Sequence, residues 1–439
     1  MTRKIVAKFG GTSLADAGQF KKVRDIVLSN RDRCIVVASA PGKRFKGDIK
    51  VTDLLISCYK KAEAKMDFEE ELEKIRQRFL DIISELQIEF DLNTEIDIIR
   101  KNLEKKPQRE YTESRGEYLN SQILAKYLGF TFVDPKWAVC FTEEGVYDAE
   151  LTQRTMTASL NPLEYAVVAG FYGADAKGRI HTFPRGGSDI TGSIAAKAVC
   201  ADLYENWTDV SGLLAADPSI VENPKTVDYL TFHELRTLSY MGASVLHADS
   251  VLPALKQGIP INIRNTNRPK DSGTMIVDQL PKDRERAVIT GVAGRQGMCV
   301  IQVEKMKVSD EAGFTADILE ILKKQGIPFE QCLTGIDTVS LVIRNDFFEP
   351  RREAILETIR KELQPDTLVV KENLSMIAVV GEDKPSSDDA TVRILSAVAN
   401  AGVLIRTINQ GAGDLNLIIG VKNEFYETAV KAIYSAIEN

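Results

Sequence analysis

Ile5-Val6-Ala7-Lys8-Phe9-Gly10-Gly11-Thr12-Ser13 opens the chain, and a helical stretch begins near Asp16. A short apolar, β-branched run is the pattern of a buried strand. Strand, glycine pair, hydroxyl pair and helix in that order leave backbone N–H groups able to point at an anion. The helix start adds partial positive charge, and two glycines admit a phosphate without a Cβ in the way. The competing reading is a tight β-α turn that binds nothing. Lys8 favours a phosphate cradle, because a lysine at the edge of a buried strand requires a counter-charge.

Outward from this cradle, residues 1–265 alternate strand and helix patterns. Strands are predicted at Ile5–Phe9, Cys34–Ser39, Phe130–Val133, Tyr165–Ala169, Leu203–Trp207 and Ile259–Ile263. Helices are predicted between them, for instance over Gln19–Leu28, Gly116–Leu128 and Thr191–Val199. The fold class is therefore α/β, a mainly parallel sheet sandwiched by helices, with ligands beyond the carboxyl ends of the strands. Lys8, Ser39, Thr208 and Asp209 fall at such ends. Between about 60 and 106, the spacing of Phe68, Leu72, Ile75, Phe79, Ile82 and Leu86 draws one apolar stripe on a long helix. A helical subdomain packed on the core is expected there, with a coiled-coil partner as the alternative. Residues 266–286 are polar and turn-rich and read as the connection to a second region.

Residues 287–439 carry an internal repeat. Gly326-Ile327 and Gly402-Val403 each follow a helix and open a strand pair, split by Gly335-Ile336-Asp337 in one copy and Gly411-Ala412-Gly413-Asp414 in the other. Each copy reads strand, helix, strand, strand, helix. The first, about 298–371, ends in a fourth strand, Thr367–Lys371; the second has none. A spare strand, Val288–Val292, precedes the first copy. An unpaired edge is a liability in a small sheet, so the spare strand should complete the second module. The first module, about 298–371, is then inserted within a second made of about 287–297 plus 372–439.

Composition narrows the chemistry. The chain has 439 residues, a formal net charge of -7, 44% hydrophobic and 27% charged residues, which predicts a globular protein of several domains. No basic stripe interleaved with aromatics points to nucleic acid, and no long apolar run points to a membrane. A soluble, cytoplasmic protein is expected. Six scattered cysteines form no C-x-x-C pair and should be reduced thiols. With three histidines and no H-E-x-x-H, neither a transition-metal site nor a Ser-His-Asp triad is indicated. Walker A and G-x-G-x-x-G sequences are also absent.

Three further clusters join the Lys8 cradle. Ser39 with Thr52-Asp53 flanks a Lys-rich loop, and helix capping is the competing explanation. Ser114-Arg115-Gly116-Glu117 places Glu117 in the first turn of the predicted helix, where a glutamate also serves as a plain dipole partner. Arg185-Gly186-Gly187-Ser188-Asp189 is a second glycine pair opening a second helix, with a cation able to grip a carboxylate and an anion able to meet an ammonium or Mg²⁺. Two cradles with complementary charges fit phosphoryl transfer between a nucleotide and an amino acid. That chemistry needs alignment and charge neutralisation more than a base.

With these motifs in order, followed by Trp207-Thr208-Asp209-Val210-Ser211-Gly212 and Gly242-Ala243-Ser244-Val245-Leu246-His247, the chain resembles an aspartokinase of the amino acid kinase family. The resemblance implies the amino acid kinase fold over 1–265 and two ferredoxin-like βαββαβ ACT modules after it. It implies that MgATP, its Mg²⁺ bound mainly through the nucleotide, phosphorylates the β-carboxylate of L-aspartate to 4-phospho-L-aspartate, the first step toward lysine, threonine and methionine. Lys8 and Asp189 would be catalytic. Lys8, Gly10, Gly11, Ser13, Thr208, Asp209, Leu214, Ser219 and Ser244 would meet ATP. Ser39, Thr52, Glu117, Arg185, Ser188 and Asp189 would meet aspartate. Met306, Gly313, Glu330 and Thr334 would meet an amino-acid effector, lysine or threonine, and the ACT modules would pair a homodimer.

The chain departs from the lysine-sensitive bacterial pattern at several positions. Leu214, Ser219 and Ser244 stand where those members carry tyrosine, arginine and lysine; Glu330, Gly335 and Ile336 stand for aspartate, serine and glutamate. Losing two cations near the nucleotide should cost about 1–3 kcal/mol per lost charge-assisted bond. These departures keep two alternatives open: a non-catalytic amino-acid sensor on the same fold, and a kinase for another amino acid such as glutamate.

Overall fold

Alternating buried strands and amphipathic helices build the first part of the chain. The strands are β1 (Ile5–Phe9), β2 (Arg33–Ala38), β3 (Thr131–Val133) and β4 (Ala166–Ala169), a short hairpin of β5 (Tyr172–Ala174) and β6 (Ile180–Thr182), then β7 (Leu203–Thr208), β8 (Tyr229–Thr231), β9 (Ile261–Asn265) and β10 (Thr274–Val277). All except the hairpin join one sheet in the order β3-β4-β2-β1-β7-β9-β10-β8. Every neighbouring pair is parallel except β9–β10. The computed structural model describes residues 3–184, 186–243, 246, 248–281, 288–307, 313–381, 387–411 and 415–438.

The helices of this part are α1 (Ala17–Leu28), α2 (Val51–Glu63), α3 (Glu69–Leu86), α4 (Leu92–Lys105), α5 (Arg109–Leu128), α6 (Ala149–Leu160) and α7 (Gly187–Ala198). Asp16 caps α1, its side chain accepting from the Gln19 N–H at 2.9 Å, and Gly129 closes α5 in the left-handed region. The apolar stripe expected on α3 is buried: Leu72, Ile75, Phe79, Ile82 and Leu86 share one core with Phe9, Leu14 and Trp207 of the sheet. Each such side chain contributes about 1.5–3 kcal/mol by leaving water. The stripe thus packs within the chain.

One element begins earlier than the pattern predicts. α5 starts at Arg109, after Gln108 in extended backbone, so Glu117 lies mid-helix and not in a first turn. The apolar periodicity fails there because the helix buries Thr112, Glu113, Ser114, Arg115 and Glu117, polar residues that read as surface. Residues 266–286, read as a connection, contain β10, whose Thr274 Oγ1 donates to the Val227 carbonyl at 2.6 Å.

The chain divides into two compact units, and the second takes 285–439 together with 214–225 and 237–243. Its sheet is antiparallel: β11 (Ile289–Glu304), β12 (Gln331–Thr334), β13 (Thr338–Arg344), β14 (Thr367–Gly381), β15 (Thr407–Gln410) and β16 (Leu415–Lys422), in the order β12-β13-β11-β14-β16-β15. Two long strands serve two modules each. Residues 298–304 of β11 pair with β13, and residues 289–295 pair with 376–381 of β14. Helices Phe314–Lys324 and Arg352–Leu363 bury one core against the first half, and Tyr426–Glu438 helps bury another against the second. Residues 214–225 join this unit because the Val292 N–H donates to the Ala215 carbonyl (2.8 Å) and Ala216 and Val221 enter the second core. Among the described residues no helix is long and apolar enough to cross a membrane.

Candidate active site

The carboxyl ends of β1, β2 and β4 and the start of α7 surround a cavity of about 1060 Å³. Lys8, Gly11, Ser39, Glu117, Ser188 and Asp189 all line it. Both glycine turns therefore open on one space.

The first turn is set by a backbone crossing. A Cβ on Gly11 would stand 2.8 Å from the Ala40 carbonyl oxygen, and one on Gly42 would stand 2.6 Å from the Gly11 carbonyl carbon. Only glycine fits at either place, and the Gly42 N–H donates to the Gly11 carbonyl at 2.8 Å. The Gly10 N–H is already taken by the Trp207 carbonyl at 3.0 Å, which leaves Gly11 as the glycine of this turn facing the cavity. Ser13 is buried, its hydroxyl 2.8 Å from that of Thr266, so it braces the turn from behind. Thr208 ends β7 and Asp209 follows it, and the Thr208 carbonyl accepts from the Thr266 N–H at 2.9 Å.

At the second turn Gly186 takes φ 78, a left-handed conformation, as the N-cap of α7. A Cβ on Gly187 would stand 2.6 Å from the Phe171 ring. A Cβ on Gly170 would likewise stand 2.5 Å from the Ser188 hydroxyl oxygen. Asp189 reaches across to Lys8: Lys8 Nζ and Asp189 Oδ1 are 2.6 Å apart, and Asn206 Nδ2 donates to the same oxygen at 2.7 Å. Lys8 thus has its counter-charge inside the protein. Arg185 lies outside the described residues, as does Ser244.

Glu117 is the most perturbed carboxyl of the cavity. Burial pushes it up from its ordinary 4.5 to about 8, against a weaker downward pull from the Ala40 backbone N–H. Its Oε2 is buried with no hydrogen-bond partner among the described residues. An orphaned carboxylate oxygen facing an open cavity fits a cationic group of a ligand.

Thr52, on α2, does not line the cavity, while its neighbour Lys50 does. Leu214 and Ser219 belong to the second unit. There, Met306 is exposed, Gly313 takes φ 100, the Glu330 N–H donates to the Val342 carbonyl at 2.8 Å and Thr334 ends β12. Sequence reasoning missed Asn206, although an asparagine inside a buried strand, Leu203–Thr208, is itself a signal. It also missed Lys50, Glu110, Glu113 and the wall Thr182-Phe183-Pro184, which carry no motif.

Among known proteins, the model of the amino acid kinase family matches residues 3–265, and a model of the ACT domain matches 377–437. Aspartokinase 3 of Bacillus subtilis is 36% identical over 98% of this chain and 97% of its own length. The crystal structure of Clostridium acetobutylicum aspartate kinase is 42% identical, covers 99% of this chain and 100% of its own, and superposes with a TM-score of 0.87. Escherichia coli aspartokinase III, solved with aspartate and ADP, covers 100% of both chains with a TM-score of 0.76; at 24% identity it speaks for the fold.

Proposed function

The chain belongs to the amino acid kinase family as an aspartokinase, and we propose that its two glycine turns divide the work of phosphoryl transfer between them. The enzyme transfers the γ-phosphoryl group of ATP to the β-carboxylate of L-aspartate, giving 4-phospho-L-aspartate. One observation carries the division of labour: Lys8 with Gly11 and Ser188 with Asp189 line a single cavity.

Lys8, Gly10, Gly11 and Ser13 form the nucleotide end, with Thr208 and Asp209 beside it. Lys8 leaves Asp189 for the phosphates and neutralises charge on the transferring group, while Asn206 keeps its hydrogen bond to Asp189. Ser244 extends the nucleotide contact from a chain segment further on. At the other end, Glu117 holds the aspartate ammonium, Arg185 its α-carboxylate, and Ser39 and Ser188 orient the side chain. A β-carboxylate oxygen attacks the γ-phosphorus, and the bond to the ADP bridging oxygen breaks. The acceptor is already ionised, so no base has a proton to remove. Mg²⁺ arrives with the nucleotide; among the described residues no group of three His, Cys, Asp or Glu is placed to hold a metal.

The product feeds lysine, threonine and methionine synthesis, and an end-product, lysine or threonine, acts on the ACT modules near Met306, Gly313, Glu330 and Thr334. A cytoplasmic homodimer paired through those modules completes the reading. A hydroxamate assay with aspartate and MgATP, with and without lysine or threonine, tests it. Product with glutamate and none with aspartate would overturn the substrate. Light scattering of the purified protein tests the dimer.

A further inference from the structure

His181 lies outside every motif described so far, on the last strand of the β5–β6 hairpin. Its Nδ1 is 3.2 Å from Glu110 Oε2, and its Nε2 is 3.5 Å from Asp175 Oδ2. Glu110 is the second residue of α5, and its other oxygen accepts from the Thr182 N–H at 3.1 Å. Asp175, in the hairpin turn, is fully buried; burial pushes its carboxyl up, but hydrogen bonds from Arg179 and His181 hold it down to about 2. Asp175 is therefore an acceptor-only carboxylate. The two ring nitrogens of His181 face one carboxyl each, one on α5 and one in the hairpin.

The tie has a consequence for the active site. Residues Thr182, Phe183 and Pro184, which leave the hairpin directly after His181, form one wall of the cavity, and Glu110 lines it too. Phe183 is braced from behind by Phe141 and Tyr147, at ring separations of 5.1 and 5.2 Å. We propose that His181 is a positioning residue for the phosphoacceptor: held between Glu110 and Asp175, it pins the β5–β6 hairpin to α5 and so fixes the cavity wall at the amino-acid end. It touches neither substrate. The identity of that substrate rests on the aspartokinase reading; the pin does not.

Charged groups from three chain segments surround His181. Glu110 comes from α5, and Asp175, Lys177 and Arg179 come from the hairpin. Glu143, in the neighbouring 139–147 segment, pairs with Lys177 and gives its carbonyl to Arg179. Arg179 Nε also donates to Asp175 Oδ2 at 2.6 Å, so it shares that carboxylate with the imidazole.

The test measures kcat and the KM for aspartate and for ATP for wild type, His181→Gln and Glu110→Gln. His181→Gln should raise the aspartate KM about 3–10-fold, with kcat and the ATP KM within about twofold, the scale of one weakened charged hydrogen bond. Glu110→Gln should move KM in the same direction. An unchanged aspartate KM, or a change in kcat alone, overturns the proposal. Exchange of the Thr182 amide hydrogen, faster in both variants if the pin exists, decides it even for an enzyme that ignores aspartate.

Discussion

Lys8, Arg33, Arg115, Glu117, Asp175 and Glu205 are all buried in the first unit, whereas the buried polar residues described in the second are Thr290, Gln331 and Ser375, none of them charged. The parallel sheet accepts the desolvation of many charges, all but Glu117 near a partner or a polarisable ring. Arg33 holds Glu205 with two hydrogen bonds, of 2.7 and 3.1 Å, and the Trp207 indole N–H donates to the same carboxylate. The guanidinium of Arg115 lies among the rings of Tyr111, Tyr118 and Tyr172. The antiparallel sheet is packed by apolar side chains, chiefly Ile, Val and Leu, and ends in two four-residue edge strands, β12 and β15. Phosphoryl transfer needs fixed charges in a dry site, while a regulatory module needs only apolar packing that tolerates small rearrangement.

The severest way to break this contrast is to remove one half of a buried pair. Glu205→Ala strands Arg33, with Arg264 only 3.6 Å from the same carboxylate, and should cost about 3–5 kcal/mol in urea unfolding. A loss below about 1 kcal/mol would mean that these charges are solvated in a way burial does not indicate. Next comes Lys8→Ala. Turnover should fall at least about 10²–10³-fold, roughly 3–4 kcal/mol on the barrier, because Lys8 is the cation carried by the strand that ends in the first glycine turn, within 2.6 Å of Asp189. Asp189 keeps its hydrogen bond from Asn206, so the melting temperature should change little. Surviving activity would remove the nucleotide cradle from the account.

The same contrast explains what could be read from the sequence. Apolar periodicity located β1, β2, β4, β7 and the α3 stripe, with strand ends shifted by at most one residue, because those elements are buried by apolar side chains. It found the second part of α5 and failed over the first, whose buried residues include Thr112, Ser114, Arg115 and Glu117, and a helix turn lined with charge has no apolar period to detect. The two cradles were legible because glycine pairs are tied to tight backbone crossings, as at Gly11 and Gly42. The Lys8–Asp189 and Arg33–Glu205 pairs were not legible, since their partners lie 181 and 172 positions apart and no local rule links them. His181 and the Thr182–Pro184 wall were invisible for the same reason.

Glu117 sharpens the contrast through pH. Its carboxyl is held near 8 in the fold and returns to its ordinary 4.5 on unfolding. Between those values the unfolded chain carries fewer protons than the folded one, so this group lowers stability as pH rises from about 4.5 to 8 and no further above that. A bound ammonium reverses the preference. Aspartate binding near neutral pH should therefore release up to about one proton, measurable by calorimetry in buffers of different ionisation enthalpy, and the apparent affinity should rise with pH by up to about tenfold per unit below 8. Glu117→Gln should abolish the release. Equal proton release in the variant would move the ammonium site elsewhere.

The smallest effect belongs to the second unit. Ile419 is fully buried, opposite Ile377 on one neighbouring strand and Ile408 on the other. Ile419→Val removes one methyl group and should cost about 0.5–1.5 kcal/mol in unfolding. With no charge disturbed, kcat and both KM values measured without effector should stay within about twofold, while the lysine or threonine concentration for half-inhibition is free to shift by the same few tenths to one kcal/mol. A fall in effector-free turnover comparable to that of Lys8→Ala would mean that apolar packing in the ACT modules sets the charge arrangement of the kinase cavity directly, and the separation of chemistry from packing would fail.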